Sequence, residues 1–466
     1  RRGCSGSATR SAPTTDAPAR FGRRLPAPAT RLLSDAHAAG DASLDTSDPS
    51  TTRVPVQAGL LRAVGRWQIV GLSINDVVGS GIYLLPAIAF GLLGPFSVWA
   101  VLLAGLTVAL LVLCYAKAAS YFEQPGGSYL YAREAFGPFV GFQVGWTIWL
   151  TRISVAASLS NGLADAVARF WPAAGDGSGR VAVIAGSLLL LTAINIAGVR
   201  WAARAAMVLV VGKLLPLLLF VFIGLFHVDW GLAAGGPPTS LSGDRAAEAA
   251  LLLLFAYAGF ENLPAAAGEY RNPQRNVPFA LVTMIALVTL LYAAVQLVAQ
   301  GTLPGIAGST TPLADAAAVF GGEGLALLLT IGAALSILGT NNNTMLLGPR
   351  FLHALAADGY GPAALARVHP RFRTPMAAIV VQCVLALALA LSGSFVQLAL
   401  LSMVTRLLAY ISTAASVLVL RRRHGDPPGT LRLPGGALIP VAALLLGITL
   451  LLGASITNLL AVGVAI

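Results

Sequence analysis

From residue 68 onward the chain is a succession of apolar runs, most of them near the roughly 20 residues that a helix needs to cross a bilayer. The runs lie at 68-93, 97-119, 137-165, 181-199, 204-227, 247-268, 278-301, 323-348, 375-393, 395-420, 437-453 and 455-466, which makes twelve, the last one short. They are continuous and not alternating, which speaks against a membrane β-barrel. Only 11% of the residues are charged, against roughly 25% in soluble domains, so an ordinary soluble multidomain enzyme is excluded. The 50 glycines and 27 prolines would break soluble helices, but membrane bundles tolerate them. The expected fold class is an all-α polytopic membrane protein with about 12 transmembrane helices.

Residues 1–66 are rich in Ala, Arg, Pro, Ser, Thr and Asp and hold no apolar run, so a disordered N-terminal tail is expected there, followed by a transmembrane domain over 67–466. The chain starts at Arg1, not at methionine, and the run from Ser455 to Ile466 is short for a bilayer of ordinary thickness, so the twelfth helix is expected to be truncated. Cys4, Cys114 and Cys383 lie far apart without metal or disulfide spacing, and neither a metal nor a cofactor is expected. The net charge of +11 reads as a topology signal and not as nucleic-acid binding. With the N-terminus inside, the cytoplasmic loops hold Lys117, Arg133, Arg200, Arg204, Arg271, Arg275, Arg350, Arg367, Arg371, Arg373, Arg421 to Arg423 and Arg432. The opposite loops hold only Arg169, Arg180 and Arg245, an asymmetry that puts the N-terminus in the cytoplasm. Arginine-rich, lysine-poor loops fit a bacterial inner (plasma) membrane protein from a high-GC genome.

Two spans carry a weak point at mid-depth. The first reads Ile74-Asn75-Asp76-Val77-Val78-Gly79-Ser80-Gly81-Ile82, and the sixth reads Phe255-Ala256-Tyr257-Ala258-Gly259-Phe260-Glu261, followed by Pro264. Breaks in spans one and six are the arrangement expected of a five-plus-five inverted repeat. An unwound segment exposes amide N–H groups on one half-helix and carbonyls on the other, so an amino acid zwitterion fits between them without a charged side chain. The competing reading of the glycines is close helix packing, and that of Phe255 and Tyr257 is ordinary core.

These two segments resemble those of the amino acid-polyamine-organocation superfamily. So do Pro125-Gly126-Gly127-Ser128-Tyr129, the loop Gly268-Glu269-Tyr270-Arg271-Asn272-Pro273-Gln274-Arg275-Asn276-Val277-Pro278, and the stretch from Gly348-Pro349-Arg350 to Val368-His369-Pro370-Arg371. The resemblance covers everything from residue 67 on. It implies a bacterial amino acid permease in which spans one and six rock against a scaffold of spans three, four, eight and nine. Gly79, Ser80 and Gly81 would hold the substrate carboxylate, and the backbone of Phe255, Ala256 and Ala258, with Tyr257 and Gly259 in the same break, would face its ammonium. Phe255 matches the aromatic that closes over the substrate. Lys213 matches a lysine whose ammonium takes the place of a sodium ion, either as a proton carrier or as a fixed structural cation.

An ionisable residue at membrane depth costs a few kcal/mol and needs a partner or a function. Asp76 lies one turn before the first break and can pair with a base, carry a proton or attract a cationic substrate; pairing with Arg152 of span three or Arg406 of span ten is the first expectation. Glu261 is expected to bond freed backbone groups or to take part in gating. The run Thr340-Asn341-Asn342-Asn343-Thr344 either lines an aqueous cavity or bonds between helices.

The function these readings support is a secondary active transporter of amino acids working by alternating access, by proton-coupled symport or substrate exchange. Its partners would be the amino acid, protons as the candidate coupling ion, and the bilayer. The rival reading is a same-fold carrier of a polyamine, nucleobase or organic cation. A membrane enzyme is disfavoured, since neither a His-Glu-x-x-His nor a Gly-x-Ser-x-Gly motif occurs. A channel is disfavoured by the absence of a repeated filter or charge ring.

Overall fold

The computed structural model describes residues 64–124, 126–197, 199–235 and 242–465, and of residues 199–211 the backbone alone. The tail expected over 1–66 lies outside the described residues up to residue 63, as do Cys4 and Pro125. Among the described residues fifteen α-helices follow one another: α1 Arg66–Val77, α2 Gly81–Leu93, α3 Ser97–Ala119, α4 Gly127–Phe136, α5 Pro138–Ala168, α6 Gly177–Ala197, α7 Val199–Gly224, α8 Trp230–Ala233, α9 Gly243–Ala256, α10 Pro273–Thr302, α11 Pro312–Ala357, α12 Met376–Ala390, α13 Phe395–His424, α14 Leu438–Leu452 and α15 Ile456–Ala465. Among the described residues the one strand-like pairing is an isolated bridge between Val64 and Tyr270.

A helix or a broken pair of helices stands over each of the twelve expected spans. Span one is α1 and α2 with a gap at 78–80, and span six is α9 followed by the 3-10 helix Phe260–Glu269. α11 exceeds its expected span at both ends and contains a break at Gly322, whose φ is 71°. α4 was not anticipated; its ten residues bury Tyr131, Ala132 and Ala135 on one face. α14 and α15 meet at 106°.

Six helical segments among the described residues hold an 18-residue stretch with a mean hydropathy of at least 1.2. Leu106 of α3, Phe222 of α7 and Leu290 of α10 are 65%, 69% and 66% exposed, an outward apolar surface that water would not tolerate and lipid does. The chain is an integral membrane protein. Inside, α5 packs along α11 and α13, α3 along α10, and α7 along α11. Tyr115, Tyr257, Tyr292 and Tyr410 are fully buried at the centre, and each hydroxyl finds a hydrogen-bond partner there.

Candidate functional site

The first break follows from local backbone chemistry. α1 closes with the Val78 amide bonded to the Ile74 carbonyl at 2.8 Å, and Val78 then turns extended, with φ −70° and ψ 91°. α2 restarts with the Tyr83 and Leu84 amides bonded to the Ser80 carbonyl at 3.0 and 3.1 Å. Among the described residues the amides of Ser80, Gly81 and Ile82 find no backbone acceptor, as the first turn of any helix leaves them. These donors sit at the positive end of the α2 dipole.

The second break lies against the first. Tyr257 still bonds back to Leu254 at 3.2 Å and Ala258 to Phe255 at 3.1 Å, after which Gly259 takes φ 129°, a conformation that L side chains rarely adopt. A Cβ on Gly259 would run into the Asp76 carbonyl, and a Cβ on Gly81 would lie 2.8 Å from the Ala256 Cα. Only glycine lets the two unwound segments approach so closely. The Tyr292 hydroxyl ties them together, with the Val77 carbonyl at 3.0 Å and the Ala256 carbonyl at 3.1 Å. A cavity opens where they meet, lined by Gly79, Ser80 and Gly81 from one and by Phe255, Ala256, Ala258 and Gly259 from the other. The Phe255 and Ala256 carbonyls each carry one hydrogen bond already, whereas the Ala258 carbonyl accepts from no backbone amide among the described residues. Phe255 packs edge-on against Phe395, ring centroids 5.9 Å apart.

Tyr257 does not line this cavity. Its hydroxyl donates to the Val101 carbonyl of α3 at 3.0 Å and its ring packs on Tyr292, so its side chain belongs to the core. The helical phase is lost at a break, and with it the facing that periodicity assigns.

The buried charges settle on partners of their own. Lys213, 1% exposed, donates to the carbonyls of Asn75 at 2.5 Å and Val78 at 2.8 Å, the frayed C-terminal end of α1. Its own carbonyl accepts from the Tyr83 hydroxyl at 2.6 Å. Glu261 receives the Gly259 amide at 2.9 Å and the Tyr410 hydroxyl at 3.1 Å, and the Arg406 Nε stands 3.3 Å away, in ion-pair range although its N–H is not aimed for a hydrogen bond. Arg152 donates to the Asn262 side chain. The expected pairing of Asp76 with Arg152 or Arg406 is therefore not the one formed: among the described residues no ion pair includes Asp76, which instead accepts from the Asn343 amide at 2.9 Å. Asp76, Arg152, Lys213 and Arg406 all line the cavity, while Glu261 stands behind it, joined to Arg406.

The three asparagines of α11 divide among three neighbours, as steps of about 100° per residue require. Asn341 donates to the Ser160 hydroxyl of α5 at 3.0 Å, Asn342 accepts from Asn195 of α6 at 3.2 Å, and Asn343 reaches Asp76 in the cavity. Tyr292 and Asn262 were not anticipated, whereas Thr340 belongs to the polar run expected either to line a cavity or to bond between helices. Thr340 lines the cavity with a hydroxyl that has no partner among the described residues, and Tyr292 had one signal in the sequence, a phenol at mid-span that must find an acceptor. Chemically, the cavity offers amide donors on one wall, carbonyl acceptors on the other and a carboxylate below.

A family model described as amino acid permease matches residues 64–464. The serine/threonine exchanger SteT of Bacillus subtilis is 29% identical over 420 residues, covering 88% of this chain and 94% of the relative. The branched-chain amino acid permease BcaP of the same organism is 27% identical over 418 residues, 85% and 89% of the two chains. A methylthioribose transporter, again from Bacillus subtilis, is 29% identical over 401 residues, 82% and 86%. With its family matched from the first described helix nearly to the last residue, the chain belongs to the amino acid permeases of the amino acid-polyamine-organocation superfamily, which are twelve-helix transporters and not enzymes.

Proposed function

We propose that this permease moves an amino acid across a bacterial inner membrane by alternating access, its N-terminus in the cytoplasm and its two broken spans in corresponding places of two inverted five-helix halves. The observation that carries this reading is the meeting of two helix breaks in one cavity, with free amides on the Ser80 side and carbonyls on the Ala258 side. The substrate carboxylate takes the amides around Gly79, Ser80 and Gly81, at the positive dipole end of α2. Its ammonium takes the second lone pairs of the Phe255 and Ala256 carbonyls and the Ala258 carbonyl. Phe255 covers the bound molecule. Lys213 fills with its ammonium the position between α1 carbonyls where a metal cation would otherwise sit, so transport runs without sodium. The names of SteT and BcaP support an amino acid as the cargo.

A second reading, a solute without the zwitterion, is favoured by the relative named a methylthioribose transporter. Uptake of a panel of radiolabelled amino acids into proteoliposomes, with and without a preloaded amino acid and at two external pH values, separates the two. Entry of at least one amino acid is expected, by exchange if preloading is required and by symport if an inward proton gradient suffices. Entry of methylthioribose and of no amino acid overturns the zwitterion site.

A further inference from the structure

We propose that Asp76 is the proton-binding site of this transporter, a carboxylate that takes up a proton from one side of the membrane and releases it on the other in each cycle. The inference rests on the transport reading above and names its coupling ion and the group that carries it.

Three observations converge on this residue. First, its partner is an amide. Asn343 donates to Asp76 Oδ1 at 2.9 Å, and an asparagine offers a carbonyl acceptor beside its N–H donors, so it can serve the carboxylate and the neutral acid alike. An arginine in that place would lock the anion. Second, Asp76 stands in the last turn of α1, where the negative end of the helix dipole disfavours an anion. A carboxylate at membrane depth with no cation in contact and at an unfavourable helix end carries a cost that a bound proton removes. Third, Asp76 lines the cavity and touches both breaks: its backbone carbonyl abuts Gly259, and the carbonyls of its neighbours Asn75 and Val78 hold Lys213.

The charged and titratable groups that face it from the surrounding helices are engaged elsewhere. Lys213 of α7 is held by two carbonyls, Arg152 of α5 by Asn262, and Arg406 of α13 by Glu261 of the 3-10 helix. α10 presents the Tyr292 hydroxyl, taken by the Val77 and Ala256 carbonyls, and the buried Tyr270 lies just ahead of it; α11 presents the asparagine alone. Among the described residues none of the three cations comes within 4.0 Å of the carboxylate. The proton enters from the aqueous side to which the cavity is open, binds a carboxylate oxygen, and leaves to the other side when the cavity opens there. One positive charge crosses with each zwitterion.

The test is Asp76→Asn in proteoliposomes, alongside the unaltered protein. With one proton per substrate, a gradient of about one pH unit sustains about tenfold accumulation. The unaltered protein should reach that level, with inward current, and Asp76→Asn should fall to an accumulation ratio of about one while still exchanging labelled for preloaded amino acid at some rate. Accumulation retained in Asp76→Asn, or exchange lost along with it in a protein that remains folded, overturns the proposal. A second measurement needs no substrate. Infrared difference spectra between neutral and acid pH should show the carbonyl band of a protonated carboxyl in the unaltered protein, a band absent from Asp76→Asn and shifted in Asp76→Glu. If no amino acid moves in either protein the transport reading fails, and the infrared band still decides Asp76; a spectrum unchanged by Asp76→Asn refutes its titration.

Discussion

Replacing Glu261 by glutamine should destabilise the protein more than replacing Arg406 by methionine, although both changes break the same ion pair. The two side chains are 3.3 Å apart and only 8% and 5% exposed. Removing one member of such a buried pair costs about 3–5 kcal/mol, because the other is left charged and uncompensated. Glu261→Gln incurs that cost in full. Among the described residues Arg406 Nε has no hydrogen-bond acceptor of its own, Arg152 Nε in the same cavity has none either, and two guanidinium groups would face each other's field without the glutamate. Arg406→Met leaves Glu261 with the Gly259 amide at 2.9 Å and the Tyr410 hydroxyl at 3.1 Å. Hydrogen bonds to a charged group contribute about 1.5–3 kcal/mol each, so the carboxylate left behind stays partly compensated and the loss should fall at or below the low end of the range for a broken pair, about 3 kcal/mol. The double variant removes both charges and should recover part of what Glu261→Gln loses. Denaturant or thermal unfolding of the four purified proteins in one detergent measures the order directly. Arg406→Met as the more damaging single change, or a double variant no more stable than Glu261→Gln, would refute the reasoning.

Gly81→Leu should abolish transport while the protein still inserts, since a Cβ there already lies 2.8 Å from the Ala256 Cα and overpacking of this kind costs about 1–3 kcal/mol; undiminished uptake would remove the breaks as the substrate site. Replacing sodium by choline should leave uptake unchanged, because the Lys213 ammonium holds the Asn75 and Val78 carbonyls at 2.5 and 2.8 Å, and a clear sodium requirement would contradict that role. On the loop after α13, the hydrogen bond from the buried Lys117 to Asp426, at 2.6 Å, holds the Asp426 carboxyl below the usual carboxylate range. A depressed carboxyl stabilises the fold above its unfolded value and loses that contribution as pH falls through the folded one, so the protection of residues 425–433 against hydrogen exchange, taken relative to the intrinsic amide rates, should fall on acidification and be low at every pH in Asp426→Asn. A loop whose exchange follows only the intrinsic amide rates would count against the link.

The span order and the two breaks were legible because they are written in features the backbone reads directly, continuous apolar length and glycine at mid-depth. α4 escaped notice because ten amphipathic residues between two spans carry no length signal. Side-chain direction was lost where the helices break. Phe255 and Tyr257 stand two residues apart in one segment, yet one faces the cavity and the other bonds to α3, and no period runs through an unwound turn to say which. Partner choice was harder still, since Arg406 and Glu261 meet from helices far apart in the chain, and an amide such as Asn343 competes for a carboxylate as well as a guanidinium does.

The charges nonetheless follow a rule that the breaks themselves impose. Interrupting a helix in a membrane creates a C-terminal end rich in free carbonyls and an N-terminal end rich in free amides, and each attracts one sign of charge. Lys213 lies at the carbonyl end of α1, and Glu261 caps the amide of Gly259 at the start of the 3-10 helix. For a buried charge near a broken span, the helix end is thus the first partner to assign, and an opposite charge elsewhere is the second. Arg406 obeys the second clause by pairing with a glutamate already placed by the first. Asp76 breaks the rule. It is an acid at a carbonyl end, without a cation in contact, and the rule then leaves it one way to sit in the membrane at low cost, which is to hold a proton.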